Sequence, residues 1–152
     1  MTHPAVGSAA PRFVLRTQHG EDLSPIGDGS PTLLVFFPFA FSSICSAELG
    51  DLEQYLGAFR AANVQVVGVS CDPIYSLRAM ADAQDLTFAL ASDFWPHGDV
   101  ARAYDCFDEG LGAATRSSFL VRPDGEVCWS VHRPMAERRN VQDHLDALPR
   151  LS

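Results

Sequence analysis

A short apolar run that ends at a proline, with a helical pattern soon after it, limits the fold of this chain more than any other feature. Residues 33–37 read Leu-Leu-Val-Phe-Phe, which is typical of a strand buried in a parallel or mixed sheet. Pro38 cannot donate to a strand partner, so we expect the strand to end there. Two serines follow, and apolar residues then recur at helical spacing from Leu49 onwards. Residues 33–56 therefore predict a strand, a short loop and a helix.

This arrangement places Cys45 in or near the first turn of the predicted helix. Unpaired N–H groups and the positive end of the helix dipole meet there, and both favour an anion such as a thiolate, the reactive form of cysteine. Ser42 can share a helix face with the sulfur, whereas Glu48 adds a second negative charge, so a cation is expected nearby. The spacing leaves an alternative open, because Cys45 also continues the apolar stripe and could simply fill space in the core.

The overall composition excludes several classes of site. The 152 residues are enough for a single domain, expected over residues 1–152, and the formal charge of −8 argues against binding to nucleic acid or anionic membranes. All 11 basic residues are arginine, which excludes a Schiff-base lysine and a phosphate-loop lysine. We see no secretory signal and no membrane-spanning run, and expect a cytoplasmic protein. The four cysteines form no Cys-x-x-Cys pair, so we expect free thiols, with neither a metal nor a cofactor.

The rest of the chain alternates between strand and helix patterns. The other predicted elements are a strand over residues 10–16 that enters a hairpin turn, a loop over 24–32, a strand over 64–70, a helix over 73–84, a strand over 88–91, a helix over 99–104, a loop over 108–114, strands over 117–121 and 126–131, and a helix from 134–136 onwards. A strand, a helix and a strand in succession form a βαβ unit, which is normally parallel.

Residues 38–45, Pro-Phe-Ala-Phe-Ser-Ser-Ile-Cys, resemble the active-site motif of the peroxiredoxins, Pro-x-x-x-Thr/Ser-x-x-Cys, and Glu48 also matches that family. The predicted strand before this octad and the helix after it are the context that the family requires. The segments 92–98 and 103–104 are similar to the one-cysteine type of alkyl hydroperoxide reductase E, and the likeness runs from about residue 10 to 148. It implies an α/β fold, a thioredoxin-like three-layer sandwich with an N-terminal β-hairpin addition, which fits the predicted order of elements.

The resemblance also implies an activity and assigns residues to it. The protein would be a thiol-dependent peroxidase that reduces hydrogen peroxide and organic hydroperoxides through a sulfenic acid on Cys45. Arg116 opens a strand in the pattern Arg-x-x-Phe-x-Val, so the resemblance assigns it the cation beside the thiolate; without the motif, it would be interpreted as a surface arginine. Ser42 would align the peroxide, Pro38 would keep water off the sulfur, and Glu48 would orient the arginine.

The sulfenic acid must then be reduced, and the sequence leaves two routes open. Position 50, five residues after Cys45, is glycine, so the common local resolving cysteine of the bacterioferritin-comigratory type is absent. We expect a one-cysteine cycle, with a low-molecular-weight thiol or a glutaredoxin- or thioredoxin-like protein as the reductant. In a two-cysteine alternative, Cys106 is the least implausible resolving residue because it lies beside a loop, whereas Cys71 and Cys128 are expected to be packing residues.

Two further alternatives lie outside peroxide turnover. Oxidation of Cys45 could switch a redox sensor or holdase chaperone, or the chain could be a structural thioredoxin-like interaction domain with an unreactive thiol. His97 and His132 are not surrounded by a catalytic pattern. Phe94 and Trp95 are expected to line a dimer face or a pocket edge, and a homodimer is the expected assembly.

Overall fold

A seven-stranded mixed sheet with helices on both faces forms the body of residues 2–152, the part of the chain that this computed structural model describes. The strands are β1 (Leu15–Thr17), β2 (Asp22–Leu23), β3 (Thr32–Phe36), β4 (Gln65–Ser70), β5 (Ala89–Ser92), β6 (Phe107–Asp108), β7 (Ala113–Ala114), β8 (Arg116–Val121) and β9 (Val127–Arg133). The helices are α1 (Ser43–Gln54), α2 (Leu56–Ala61), α3 (Ile74–Gln84), α4 (Asp99–Ala103) and α5 (Val141–Ala147), followed by a 3₁₀ turn at Leu148–Leu151.

The order of strands places β3 inside the sheet. That order is β2-β1-β5-β4-β3-β8-β9, with β3, β4 and β5 parallel and the other pairs antiparallel, while β6 and β7 form a separate ribbon. Every residue of β3 is buried, as its apolar run predicted. The N–H of Phe37 adds one further bond, 2.9 Å to the carbonyl of Val69, before Pro38 ends the ladder. The hairpin β1–β2 extends the sheet at one edge, as expected of an N-terminal addition.

Alternate residues of β3 divide the core into two layers. Leu33 and Val35 pack against α1, α2, α3 and α5, whereas Leu34 and Phe36 pack on the opposite face with α4 and the segment before β1. Cys45 belongs to the first layer. Within residues 2–152, every helix is too short or too polar to cross a bilayer.

The last helix does not begin where the sequence predicted. The expectation of a helix from residues 134–136 is wrong, because α5 starts at Val141 and Asn140 caps it by accepting a 2.9 Å hydrogen bond from the N–H of Gln142. Residues 134–140 instead form a loop that crosses the end of β8. A tertiary contact holds it open: the backbone N–H of Arg139 donates to Glu48 at 2.8 Å instead of entering a helix.

Smaller differences occur elsewhere. The single predicted helix after residue 43 breaks at Tyr55, whose ψ of 14° separates α1 from α2. The first strand starts at Leu15 rather than residue 10, and the loop predicted over 108–114 contains three of the four residues of the β6–β7 ribbon. Gly20 has a φ of 77° in the first hairpin turn, a conformation that glycine adopts at little cost.

Candidate active site

Cys45 is the third residue of α1 and is completely buried beneath the loop that leaves β3. Phe41, with a φ of 69°, turns the chain from this loop into the helix, and such a left-handed backbone is uncommon for an aromatic residue. The first backbone bond of the helix joins the N–H of Ser46 to the carbonyl of Ser42 at 2.8 Å. The N–H groups before residue 46 therefore lack helical partners and surround the sulfur with positive partial charge.

The side chain of Ser42 does not cap α1, although this residue occupies the cap position. Its hydroxyl oxygen is buried and has no hydrogen-bond partner among residues 2–152. Burying a hydroxyl without a partner costs free energy, and such groups are rare in native proteins unless a ligand or water completes them. Pro38, four residues earlier on the same loop, is also buried. The loop therefore contains one polar atom, the Ser42 hydroxyl oxygen, that is shielded from solvent and has no hydrogen-bond partner among the described residues.

Arg116 reaches Cys45 because of the register between β8 and β3. Phe36 lies opposite Ser117, so Arg116, the first residue of β8, stands where the chain leaves β3 and turns towards α1. Its Nη1 lies 3.2 Å from the Cys45 Sγ, and its Nε donates to the carbonyl of Met135 at 2.6 Å. The guanidinium therefore donates to the sulfur and places a positive charge directly beside it.

Glu48 connects the same arginine to a second cation. Nη1 of Arg116 donates to Oε1 of Glu48 at 2.6 Å, and Arg139 donates to both carboxylate oxygens, from Nε at 2.7 Å and from Nη2 at 3.0 Å. Burial alone would raise the pKa of Glu48, but the hydrogen bonds and charge of Arg139, with the charge of Arg116, hold it below its ordinary value. The carboxylate is therefore ionised and lies between two guanidinium groups, one of which also contacts the Cys45 sulfur.

Sequence reasoning missed Arg139. Its neighbour Arg138 has the same side chain, yet Arg138 pairs with Asp51 at the surface, whereas Arg139 is only 3% exposed. Position along the chain does not distinguish them. The available signal was charge balance, because the two predicted anions, Cys45 and Glu48, require more than the one predicted cation.

The other three cysteines are buried as ordinary thiols. Burial raises the pKa of Cys71 to about 12 and also raises the pKa of Cys106 and Cys128, which keeps these sulfurs protonated. Cys106 is 1% exposed and packs on the face of the sheet opposite the layer that holds Cys45. Gly50 lies within α1, where an added side-chain carbon would meet only Gln84 Nε2, at 3.8 Å.

The remaining residues singled out from the sequence lie away from Cys45. Nε2 of His97 donates to the carbonyl of Gly112, 2.7 Å away on the surface. His132 stacks on His3 with ring centroids 3.7 Å apart and contacts Ser117, which points to the sheet face opposite Arg116.

Comparison with known proteins decides the family. A model of the AhpC/TSA family matches residues 6–130, which include Cys45, Glu48 and Arg116. The chain is a peroxiredoxin. The resemblance that its motif suggested is therefore confirmed, and the enzyme is a thiol-dependent peroxidase.

The peroxiredoxin matches curated relatives over nearly its whole length. It is 36% identical over 149 residues to alkyl hydroperoxide reductase E of Mycobacterium tuberculosis, and the match covers 97% of each chain. It is 28% identical over 144 residues to peroxiredoxin 2 of Thermoplasma acidophilum, covering 91% of this chain and 71% of that protein.

Solved structures confirm the predicted thioredoxin-like α/β sandwich. AhpC of Enterococcus faecalis superposes with a TM-score of 0.87 at 26% identity and covers 96% of this chain and 91% of its own. The peroxidoxin BcpB of Mycobacterium tuberculosis superposes with a TM-score of 0.86 at 22% identity, covering 99% of both chains, and so shows the same fold.

Proposed function

We propose that this peroxiredoxin reduces hydrogen peroxide and organic hydroperoxides through a sulfenic acid on Cys45, which an external thiol then reduces. The observation that carries the proposal is the buried Arg116 guanidinium 3.2 Å from the sulfur. It places a positive charge and hydrogen-bond donors beside the sulfur, in a position shielded from water. These features favour the reduction of hydroperoxides, because a shielded thiolate with hydrogen-bond donors beside it is suited to attack a weak O–O bond.

In the proposed reaction, only a few protein groups act on the hydroperoxide. The Cys45 thiolate attacks one oxygen of the hydroperoxide, so that an S–O bond forms as the O–O bond breaks, and the sulfur is oxidised while the peroxide is reduced. The leaving oxygen departs with the electron pair and takes a proton, giving water or an alcohol. Arg116 and the N–H groups of the first turn of α1 stabilise the charge on that oxygen, as in an oxyanion hole. The Ser42 hydroxyl orients the peroxide, and Pro38 excludes water.

Glu48 acts on the arginine rather than on the substrate. Its Oε1 accepts from the Arg116 Nη1 that also touches the sulfur, which fixes the guanidinium against the thiolate. Without this anion, two neighbouring cations would repel each other in the core. Glu48 is therefore a positioning residue.

The burial and protonation of the other thiols support a one-cysteine cycle. Cys106 is buried on the opposite face of the sheet, and its raised pKa leaves it a poor nucleophile, so it resolves no sulfenic acid without local unfolding. The reductant is a low-molecular-weight thiol or a glutaredoxin- or thioredoxin-like protein. Four free thiols and a thiol reductant suit a reducing compartment, which supports the proposal that the enzyme works in the cytoplasm.

Intact-mass analysis after one equivalent of peroxide tests the cycle. The chain is expected to gain one oxygen, because the sulfenic acid persists until an external thiol is added. Cys106→Ser is expected to behave as the wild type, and Cys45→Ser to consume no peroxide. A wild-type mass that falls by two hydrogens, with the fall absent in Cys106→Ser, contradicts the one-cysteine cycle and supports the two-cysteine alternative.

Ser42 is expected to matter for rate but not for stability. Ser42→Ala should slow the oxidation of Cys45 by about 10- to 100-fold, because the peroxide loses a hydrogen bond that aligns it. The free energy of unfolding should stay the same or rise, since the removed hydroxyl has no partner in the described residues. Stopped-flow peroxide oxidation and urea unfolding measure the two quantities. Ser42→Thr is the matched control and should retain the rate within about threefold; equal losses in both variants would argue against the hydroxyl.

The enzyme assembles as a homodimer through an exposed aromatic face. Tyr75 and Trp95 are 78% and 81% exposed, and with Phe94 they line a cavity of about 510 Å³. Apolar side chains grouped in this way favour a protein partner. Trp95→Glu is expected to lower the molar mass measured by light scattering to that of a monomer, while Tyr55→Glu, an exposed change elsewhere, leaves a dimer. If the wild type itself has the molar mass of a monomer, the proposed homodimer is wrong.

A further inference from the structure

A buried serine and a buried histidine extend the site towards α5. Ser118 lies on β8 two residues after Arg116, so the two side chains point to the same face of the sheet. The Ser118 hydroxyl contacts Nη1 of Arg139 at 3.0 Å and Nε2 of His144 at 2.9 Å. Ser118 is completely buried, and His144 is 3% exposed with its ring edge-on to Trp129, at 5.3 Å between centroids.

The donors and acceptors that each group possesses determine which atom donates in each of these hydrogen bonds. A guanidinium only donates, so the Ser118 oxygen accepts from Arg139. The Ser118 hydroxyl then donates a hydrogen bond to Nε2 of His144, which accepts it. The other ring nitrogen of His144 lies 3.1 Å from the carbonyl of Asn140 and must carry the N–H. The contacts therefore assign one tautomer, a neutral ring protonated at Nδ1.

Electrostatics agrees with a neutral ring. Burial, and then the charge of Arg139, lower the pKa of His144 to about 4, against smaller opposing effects from the Asn140 carbonyl, Glu48 and Asp143. A protonated ring would direct a second donor at the Ser118 oxygen and place a cation beside Arg139. The neutral ring accepts from the serine and adds no charge next to the guanidinium.

We propose that His144 is a positioning residue for the peroxidase reaction and acts through Ser118 on Arg139. The hydroxyl that His144 orients holds one end of the Arg139 guanidinium, and the other end binds Glu48. Glu48 in turn holds Arg116 against Cys45, so the chain of contacts runs from α5 to the reacting sulfur. This inference rests on the proposed function, because its readout is the oxidation of Cys45.

Two isosteric substitutions separate the nitrogen atoms of the ring. His144→Asn places an amide where Nδ1 was and removes the group that accepts from Ser118. His144→Gln places an amide oxygen where Nε2 was, so it can still accept that proton. We expect His144→Asn and Ser118→Ala to slow the oxidation of Cys45 by about three- to tenfold at pH 7, and His144→Gln to restore most of the lost rate. Gln142→Ala, an exposed change on α5, is the control and should match the wild type.

The double variant Ser118→Ala/His144→Asn distinguishes this role from a packing defect. If His144 acts through the serine, the double variant is no slower than Ser118→Ala; a cavity left by asparagine would slow it further. Equal rates for His144→Asn and His144→Gln, or multiplicative losses in the double variant, would overturn the proposal. If the wild type itself reacts with peroxide no faster than free cysteine, the proposed function fails instead, so the two failures are distinguishable. Urea unfolding confirms that each variant is folded at the assay temperature.

Discussion

Replacing Arg116 by methionine is expected to slow the oxidation of Cys45 by peroxide about 100- to 1,000-fold. Methionine has a similar length but no charge, so the sulfur loses the cation 3.2 Å away and the leaving oxygen loses its donors. Removing a single preorganised donor from a site of developing negative charge costs about 3–4 kcal/mol of transition-state stabilisation. Stopped-flow measurement of the second-order rate constant at pH 7 gives the result directly.

Two matched variants show whether charge or geometry matters. Arg133→Met changes the residue opposite Arg116 in the β8–β9 register, where the side chain is 41% exposed, and should alter the rate by no more than about twofold. Arg116→Lys keeps a charge but cannot contact the Met135 carbonyl, Glu48 and the sulfur with one planar group, so we expect it to recover only part of the rate. If Arg116→Met oxidises within about threefold of the wild type, the guanidinium is not part of the site.

Replacing Arg139 by methionine is expected to lower the free energy of unfolding by about 3–5 kcal/mol. The side chain and backbone of Arg139 make three of the hydrogen bonds that satisfy Glu48, and both side chains are almost fully buried. Removing one partner leaves a buried carboxylate short of charge and donors, which costs far more than the loss of a surface pair. Urea unfolding at pH 7 measures the change.

Arg138→Met is the control for this prediction. Its guanidinium pairs with Asp51 but is half exposed and screened by solvent, so its removal should lower the free energy of unfolding far less than the removal of Arg139. Equal destabilisation by the two substitutions would mean that the carboxylate finds other partners, and the buried network would then carry little of the stability.

Local patterns predicted where the proposed nucleophile lies, because its position follows local physical rules. A proline ends the strand, a serine starts the helix, and a cysteine three positions later must lie in the first turn, as Cys45 does. The family pattern supplied Arg116, and the observed register of β8 against β3 shows why it arrives at the sulfur.

Residues that depend on tertiary contacts could not be predicted in this way. Arg139 lies in a loop that propensity favours as helix, because Pro134 and the residues after it suit a helix start. Contacts with distant residues shape this loop instead: Glu48, 91 positions away, accepts from the N–H of Arg139, and Arg116 donates to the carbonyl of Met135. No proline marks the break at Tyr55, and the nearby Gly57 lies inside α2 rather than at the break. The assignment of Ser118 and His144 to one cluster likewise needed the fold.

Gly50 occupies the position, five residues after Cys45, where some relatives carry a local resolving cysteine. It occupies a middle turn of α1 with free space around its α-carbon, so cysteine could replace it without disturbing the packing. Two cysteines five positions apart on an intact helix stand too far apart to join, and a bond between them would require the helix to unwind. A cysteine at position 50 is therefore expected to form an internal disulfide with Cys45 only when this part of α1 unwinds.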